Sequence, residues 1–277
     1  MTKTKTNKTL KVGILGCGAI GSRMAQSFQN ELKNYYELTG LFDINDFKVQ
    51  ELEEKLGSKK IAKKSFKDLL KSSDLIIEGI SAKNTSQIIR EILKAKKHVL
   101  VMSVGQLLNA TDLFQLAEKN HCYLLIPSGA IAGLDAMKAA ALVGVYQINL
   151  TTRKPVTAFE NNPYLKEKKI DLGVIRKETL IFEGDVDTAV KHFPQSINVA
   201  ATLAMAAKGR EIISVKILTS PKFQGNSHEV EIVGEFGRML TRTDNVPCLD
   251  NPKTSYLAVL SAIKILKQLG AYVKIGT

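Results

Sequence analysis

Tryptophan is absent from the 277 residues, and cysteine occurs only three times, at Cys17, Cys122 and Cys248. An odd number of thiols without CxxC spacing speaks against a disulfide framework and against a cysteine zinc site. The four histidines form no HxxxH or HExxH pair, so no metal ligand set is expected. Neither GxSxG nor a Walker A sequence occurs, which removes the common serine-hydrolase and nucleotide-triphosphatase readings. Long apolar runs are missing too: residues 139–145 are too few to cross a bilayer, and no membrane association is expected. The opening MTKTKTNKTLK is basic and lacks an apolar centre, so it reads as a lead-in to the first strand rather than a secretory leader. Free thiols without a leader make the cytoplasm the expected compartment.

Anionic partners are the next question, because the net charge is +12. The excess is carried by 32 lysines against 7 arginines, spread along the chain apart from clusters near 59–67 and 166–169. Readers of DNA or RNA concentrate arginine and interleave aromatics, and this chain does neither, so no nucleic acid is expected. A lysine-rich solvated surface remains, compatible with a modest steering field for small anions. Hydrophobic residues at 44% are enough for a sizeable core.

Residues 9–15 (TLKVGIL) form a short branched run suited to a buried parallel strand. Gly16-Cys17-Gly18-Ala19-Ile20-Gly21 follows at once, and then 22–30 with helical spacing. In a strand-turn-helix unit these glycines have separate uses. Gly16 permits the tight turn, Gly18 admits a pyrophosphate to the backbone, and Gly21 lets helix and strand approach. The helix start, through Ala19 and Ile20, offers free N–H groups to phosphate. Asp43 closes the next apolar run, 37–42, 22 residues beyond Gly21. A carboxylate there accepts the ribose hydroxyls of NAD and repels the extra phosphate of NADP, and Lys48 is the only nearby cation that could admit NADP. Asp43 fits equally well as a turn or cap residue before a helix over 46–56.

The alternation continues with strands at 74–80, 98–102 and 122–126 and helices at 84–95 and 110–119. This predicts an α/β fold, a Rossmann doubly wound parallel sheet over residues 1–130. Ligands lie outside the carboxyl ends of such strands, which makes Ile80, Ser81, Ser103 and Ala130 candidate cofactor contacts. Residues 131–254 change texture. An alanine-rich helix through 142 precedes strand-like runs at 144–153, 178–183, 211–218 and 228–235, with a second alanine-rich helix at 194–207. A second α+β domain with a mostly antiparallel sheet is expected, and the final helix, 255–269, is expected to pack back on the first.

Among the histidines, His98 and His121 read as structural and His192 as a loop or cap residue. His228 opens a strand in which Val230 and Ile232 alternate with Glu229 and Glu231. A polar residue at a strand start is usually exposed, yet imidazole is the natural proton handler for amine–imine–carbonyl chemistry.

Seven blocks together resemble the L-aspartate dehydrogenase family: GILGCGAIGSRMA, VMSVGQL and PSGAIAGLDAMKAA in the first half, and TTRKP, FPQSINVAATLA, NSHEVEIVGEFG and DNPKTSYLAVLSAI in the second. The last departs from the family pattern, with Asp250-Asn251 where two asparagines are usual. The resemblance implies an NAD(P)-dependent oxidative deamination of L-aspartate to iminoaspartate, feeding NAD biosynthesis. By position it assigns Ala130 and Asn198 to NAD contact and His228 to catalysis. Packing and helix capping are the plain alternatives for the first two. A dicarboxylate needs cations or hydroxyls, and Thr152, Arg153 and Lys154 are the candidates, although Arg153 and Lys154 fit solvated positions equally. A homodimer is implied, and a hand-off of iminoaspartate to a quinolinate-forming enzyme stays open. A reductase of dihydrodipicolinate or homoserine dehydrogenase type, or a dinucleotide sensor without turnover, would fit the same architecture. The paired histidine of dihydrodipicolinate reductases is missing here.

Overall fold

The computed structural model describes residues 9–57, 60–80, 82, 84–193, 198–207, 209–248 and 251–276, the side chains of 251–253 excepted. The chain divides into two compact units. One holds the residues up to Ser103, Ala110–Ile126 and Ile263–Val273; the other holds Val104–Asn109, Pro127–Ala262 and the tail.

In the first unit the elements run β1 (Leu10–Leu15), α1 (Ala19–Ser27), β2 (Tyr36–Phe42), α2 (Asp46–Leu56), α3 (Phe66–Ser72), β3 (Leu75–Glu78), α4 (Thr85–Lys94), β4 (His98–Val101), α5 (Asp112–Lys119) and β5 (Leu124–Leu125). Five parallel strands in the order β2-β1-β3-β4-β5 form the sheet. The topological switch therefore lies between β1 and β3, where such sheets bind ligands. The central strands are mostly apolar because both faces are covered: Val12, Ile14, Leu75, Ile76, Ile77, Val99 and Leu100 have no exposed surface. Each contributes about 1.5 to 3 kcal/mol of burial. The expected strand over 122–126 shrinks to two residues.

The second unit contains α6 (Leu134–Ala140), β6 (Val145–Pro155), α7 (Pro163–Glu167), β7 (Thr179–Asp185), α8 (Val186–His192), α9 (Asn198–Ala207), β8 (Ile213–Ser220), β9 (Asn226–Gly234), β10 (Gly237–Asn245), β11 (Pro247–Cys248) and β12 (Asn251–Ser255). Five strands in the order β10-β9-β6-β8-β7 make a mixed sheet, antiparallel except for the β6–β8 pair. One face buries Ile148, Leu150, Val215, Ile217, Val230 and Ile232, and α8 and α9 pack against β7 and β8. β10 was not expected from the sequence, and the helix expected through 142 ends at Ala140. The last helix, α10 (Tyr256–Gly270), serves both units in turn. Its Ser261 hydroxyl accepts a hydrogen bond from the Gly129 N–H in the second, and its Leu266 carbonyl accepts one from the Tyr36 hydroxyl in the first. Among the described residues no helix is long and apolar enough to cross a membrane.

Candidate active site

The glycine turn after β1 behaves as its sequence dictates. Gly16 has φ +95°, and a Cβ there would lie 2.8 Å from the Gly79 carbonyl oxygen. A Cβ on Gly21 would lie 1.8 Å from the Gly16 oxygen, so strand and helix meet at this distance only without a side chain. A Cβ on Gly18 would meet nothing within 4 Å. That open space lies at the N-cap of α1, where no side chain caps the helix and no acid occupies the first turn. Ala19 and Ile20 open the helix and are half-buried. Their N–H groups have no intrahelical acceptor and suit an anion with backbone-sized clearance.

Asp43 closes this turn from β2. One carboxylate oxygen accepts from the Cys17 N–H at 2.8 Å and the other from the Asn45 N–H at 2.9 Å. The cap of α2 is Asn45, whose side chain accepts from the Phe47 N–H, so Asp43 is not the capping residue. Burial and the Asp43 charge push the Cys17 thiol up to about 12, which leaves it a neutral packing residue. Glycine cradle, uncapped helix and a carboxylate at the end of β2 fit a dinucleotide.

Next to the turn, at the ends of β3 and β4, is a group the sequence reading passed over. Glu78 is fully buried. It accepts from the Ile80 N–H at 2.9 Å, the Met102 N–H at 3.1 Å and the Ser103 N–H at 2.9 Å, and it lies 3.0 Å from the Ser103 hydroxyl. Of the expected loop residues, Ile80 and Ser103 thus belong to one hydrogen-bonded group, while Ser81 lies outside the described residues.

In the second unit, period-two alternation along β6 sorts the three candidates for carboxylate recognition. Thr152 and Lys154 point to the buried face and Arg153 to the opposite one, which corrects their grouping as a single set. Arg153 is engaged by Glu178 at 2.9 Å and Glu229 at 3.6 Å. His228 is paired with Thr152 across the β6–β9 ladder, and its Nδ1 lies 3.1 Å from the Thr152 hydroxyl. It is the third residue of β9 and is buried, not exposed as a strand-opening polar residue usually is. Burial, with the Lys154 ammonium beside it, holds the His228 imidazole down to about 3. Burial alone lowers Lys154 to about 8. No carboxylate forms an ion pair with Lys154 among the described residues. A neutral imidazole, a hydroxyl and a desolvated ammonium are therefore clustered without a counter-anion, an arrangement that can accept protons and bind a carboxylate.

Ala130 is buried, and its carbonyl accepts from the Thr243 hydroxyl at 2.7 Å and the Asn245 amide at 3.1 Å, two β10 residues that carried no sequence signal. Thr243 pairs with His228 across the ladder, so the Ala130 segment is tied to the histidine's own strand pair. Asn198 opens α9, and its side-chain oxygen accepts from the Gly105 N–H at 2.9 Å. The remaining histidines are structural. His98 Nδ1 accepts from the Tyr123 N–H, His121 occupies a left-handed turn at φ +54°, and His192 packs on Tyr164.

Residues 16–127 match the family model described as homoserine dehydrogenase, NAD binding domain, and 135–269 match aspartate dehydrogenase, C-terminal. L-aspartate dehydrogenase of Methanosarcina barkeri is 42% identical over 271 residues, 97% of this chain and 100% of its own. That of Methanosarcina mazei is 40% identical over the same span. The crystal structure of aspartate dehydrogenase from Thermotoga maritima has a TM-score of 0.72 at 24% identity, covering 96% of this chain and 99% of that one, a likeness of fold.

Proposed function

Because the chain belongs to the L-aspartate dehydrogenase family, we propose that it catalyses the oxidative deamination of L-aspartate to iminoaspartate, which hydrolyses to oxaloacetate and ammonium. The observation that carries this reading is the buried group of Thr152, His228 and Lys154. A dicarboxylic amino acid brings the anion that this cluster lacks, and Lys154 with the Thr152 hydroxyl is assigned to one of its carboxylates. Nicotinamide dinucleotide, when bound, supplies the hydride acceptor for the substrate Cα hydrogen. Gly16, Gly18 and Gly21, with the Ala19 and Ile20 N–H groups, are assigned to its pyrophosphate. Asp43 is assigned to its adenosine ribose, and Ile80, Ser103, Ala130 and Asn198 to the nicotinamide side.

His228 is the proposed base for the water that attacks the imine. For Nε2 to take that proton, Nδ1 must keep its hydrogen and donate it to the Thr152 oxygen. An imidazole held near 3 is too weak a base at neutral pH. A substrate carboxylate against Lys154 offsets the ammonium's field, the lesser cause after burial, and raises the histidine from that value.

NAD is the proposed cofactor in preference to NADP, because the Asp43 carboxylate would face a 2′-phosphate and Lys48 is the nearest compensating charge. Provision of iminoaspartate for pyridine nucleotide synthesis in the cytoplasm is the proposed setting, supported by the family and by three free thiols. The test is reduction of NAD and of NADP at alkaline pH with L-aspartate, beside L-homoserine and D-aspartate. Turnover of L-homoserine without L-aspartate would overturn the substrate. Dinucleotide binding without turnover of any amino acid would favour a sensor. A parental rate in His228→Ala would remove the histidine from the chemistry.

A further inference from the structure

We propose that Glu78 is a neutral carboxylic acid that clamps the segments following β3 and β4, and is a positioning residue for the dinucleotide turn. The argument is a count of protons. The Ser103 hydroxyl lies 2.5 Å from the Ile80 carbonyl oxygen and 3.0 Å from Glu78 Oε1. A serine hydroxyl has one hydrogen and a carbonyl has none. Both contacts are full two-centre hydrogen bonds only if Glu78 carries a proton on Oε1 and donates it to Ser103, which passes its own to Ile80. Oε1 keeps a lone pair for the Ile80 N–H, and Oε2 accepts from Met102 and Ser103. Every position on the acid is then filled. Complete burial, outweighing the hydrogen bonds that Glu78 accepts, raises its pKa and favours the same protonated form.

The clamp grips the Ile80 peptide at both ends, nitrogen to Glu78 and oxygen to Ser103. Ile80 Cγ2 and the Gly79 oxygen each lie 2.8 Å from the point a Cβ on Gly16 would occupy, so the clamped segment forms the wall of the glycine turn. The link to the cofactor rests on the reading above that this turn takes a dinucleotide; the protonation does not.

Two measurements test it. In ligand-free protein labelled with carbon-13 at glutamate side-chain carboxyls, one resonance should keep the protonated position at neutral pH. It should vanish in Glu78→Gln and in Glu78→Asp. All glutamates ionised at neutral pH would overturn the proposal, and this holds even if Glu78→Gln does not fold. The glutamine amide turns a donor toward an N–H whichever way it is placed. Folded Glu78→Gln should therefore bind NADH about tenfold more weakly, with the KM for NAD rising and that for L-aspartate unmoved. Unchanged NADH affinity would overturn the positioning role. Failure of the unaltered protein to bind NADH would instead count against the dehydrogenase reading, with the resonance still deciding the protonation.

Discussion

An alanine at position 21 would place its Cβ 1.8 Å from the Gly16 oxygen, whereas one at position 18 would meet no protein atom within 4 Å, at an ordinary φ of −70°. The two substitutions should therefore fail in different ways. Gly21→Ala should lower unfolding stability by about 2 kcal/mol or more, because backbone would have to move. Gly18→Ala should melt within about 0.5 kcal/mol of the parent and still lose dinucleotide affinity, since the methyl fills space a pyrophosphate needs. Thermal melts beside NADH fluorescence titrations separate the two effects. The buried base makes a second prediction. His228 falls from an ordinary 6.5 to about 3 in the folded protein. Between those values the unfolded chain binds the proton and the folded one does not, so stability falls as pH is lowered through the window. Lys154, lowered from 10.5 to about 8, adds stability as pH rises from 8 to 10.5 by the same sign. His228→Asn should lose less stability than the parent between about pH 6.5 and 4.5, by about 2 kcal/mol, measured by denaturant melts at each pH.

At the scale of the element, the β6 alternation separates neighbours that the sequence could only group. Lys154→Met should raise the KM for L-aspartate about tenfold or more while NADH binding holds. Arg153→Met should change that KM less than about threefold, because it breaks a partly exposed pair with Glu178 on the other face. Steady-state kinetics on both variants check the assignment. The glycine turn was legible because its geometry is local: Gly16 and Gly21 answer to atoms within a few residues or just past the adjoining strand, and Gly18 borders open space. The burial of His228 was not, since it depends on Thr152, 76 positions away. β10 escaped notice because its inward residues Met239, Thr241, Thr243 and Asn245 are mostly polar, so its alternation carries little hydrophobic contrast. Glu78 stood in an apolar strand as an oddity whose donors arrive from 24 and 25 residues downstream. Short α7 and α8 lie below the length at which helical period is readable.

For the molecule as a whole, the first unit is discontinuous in sequence. Ile263 and Leu266 of α10 are buried with it, and Leu266 accepts the Tyr36 hydroxyl at 2.8 Å. A fragment ending at Ile126 would expose the surface these residues cover, a loss on the order of 3 to 6 kcal/mol. That is comparable with the net stability of a domain. Such a fragment should show no cooperative thermal transition, whereas the same fragment joined by a flexible linker to residues 256–273 should regain one, as scanning calorimetry would reveal. The Tyr36–Leu266 bond has a temporal side. The ribosome makes the glycine turn well before α10, so the first unit cannot complete its core until α10 has followed it. Until then it emerges with an unfinished wall, a period in which chaperone protection matters more than final stability.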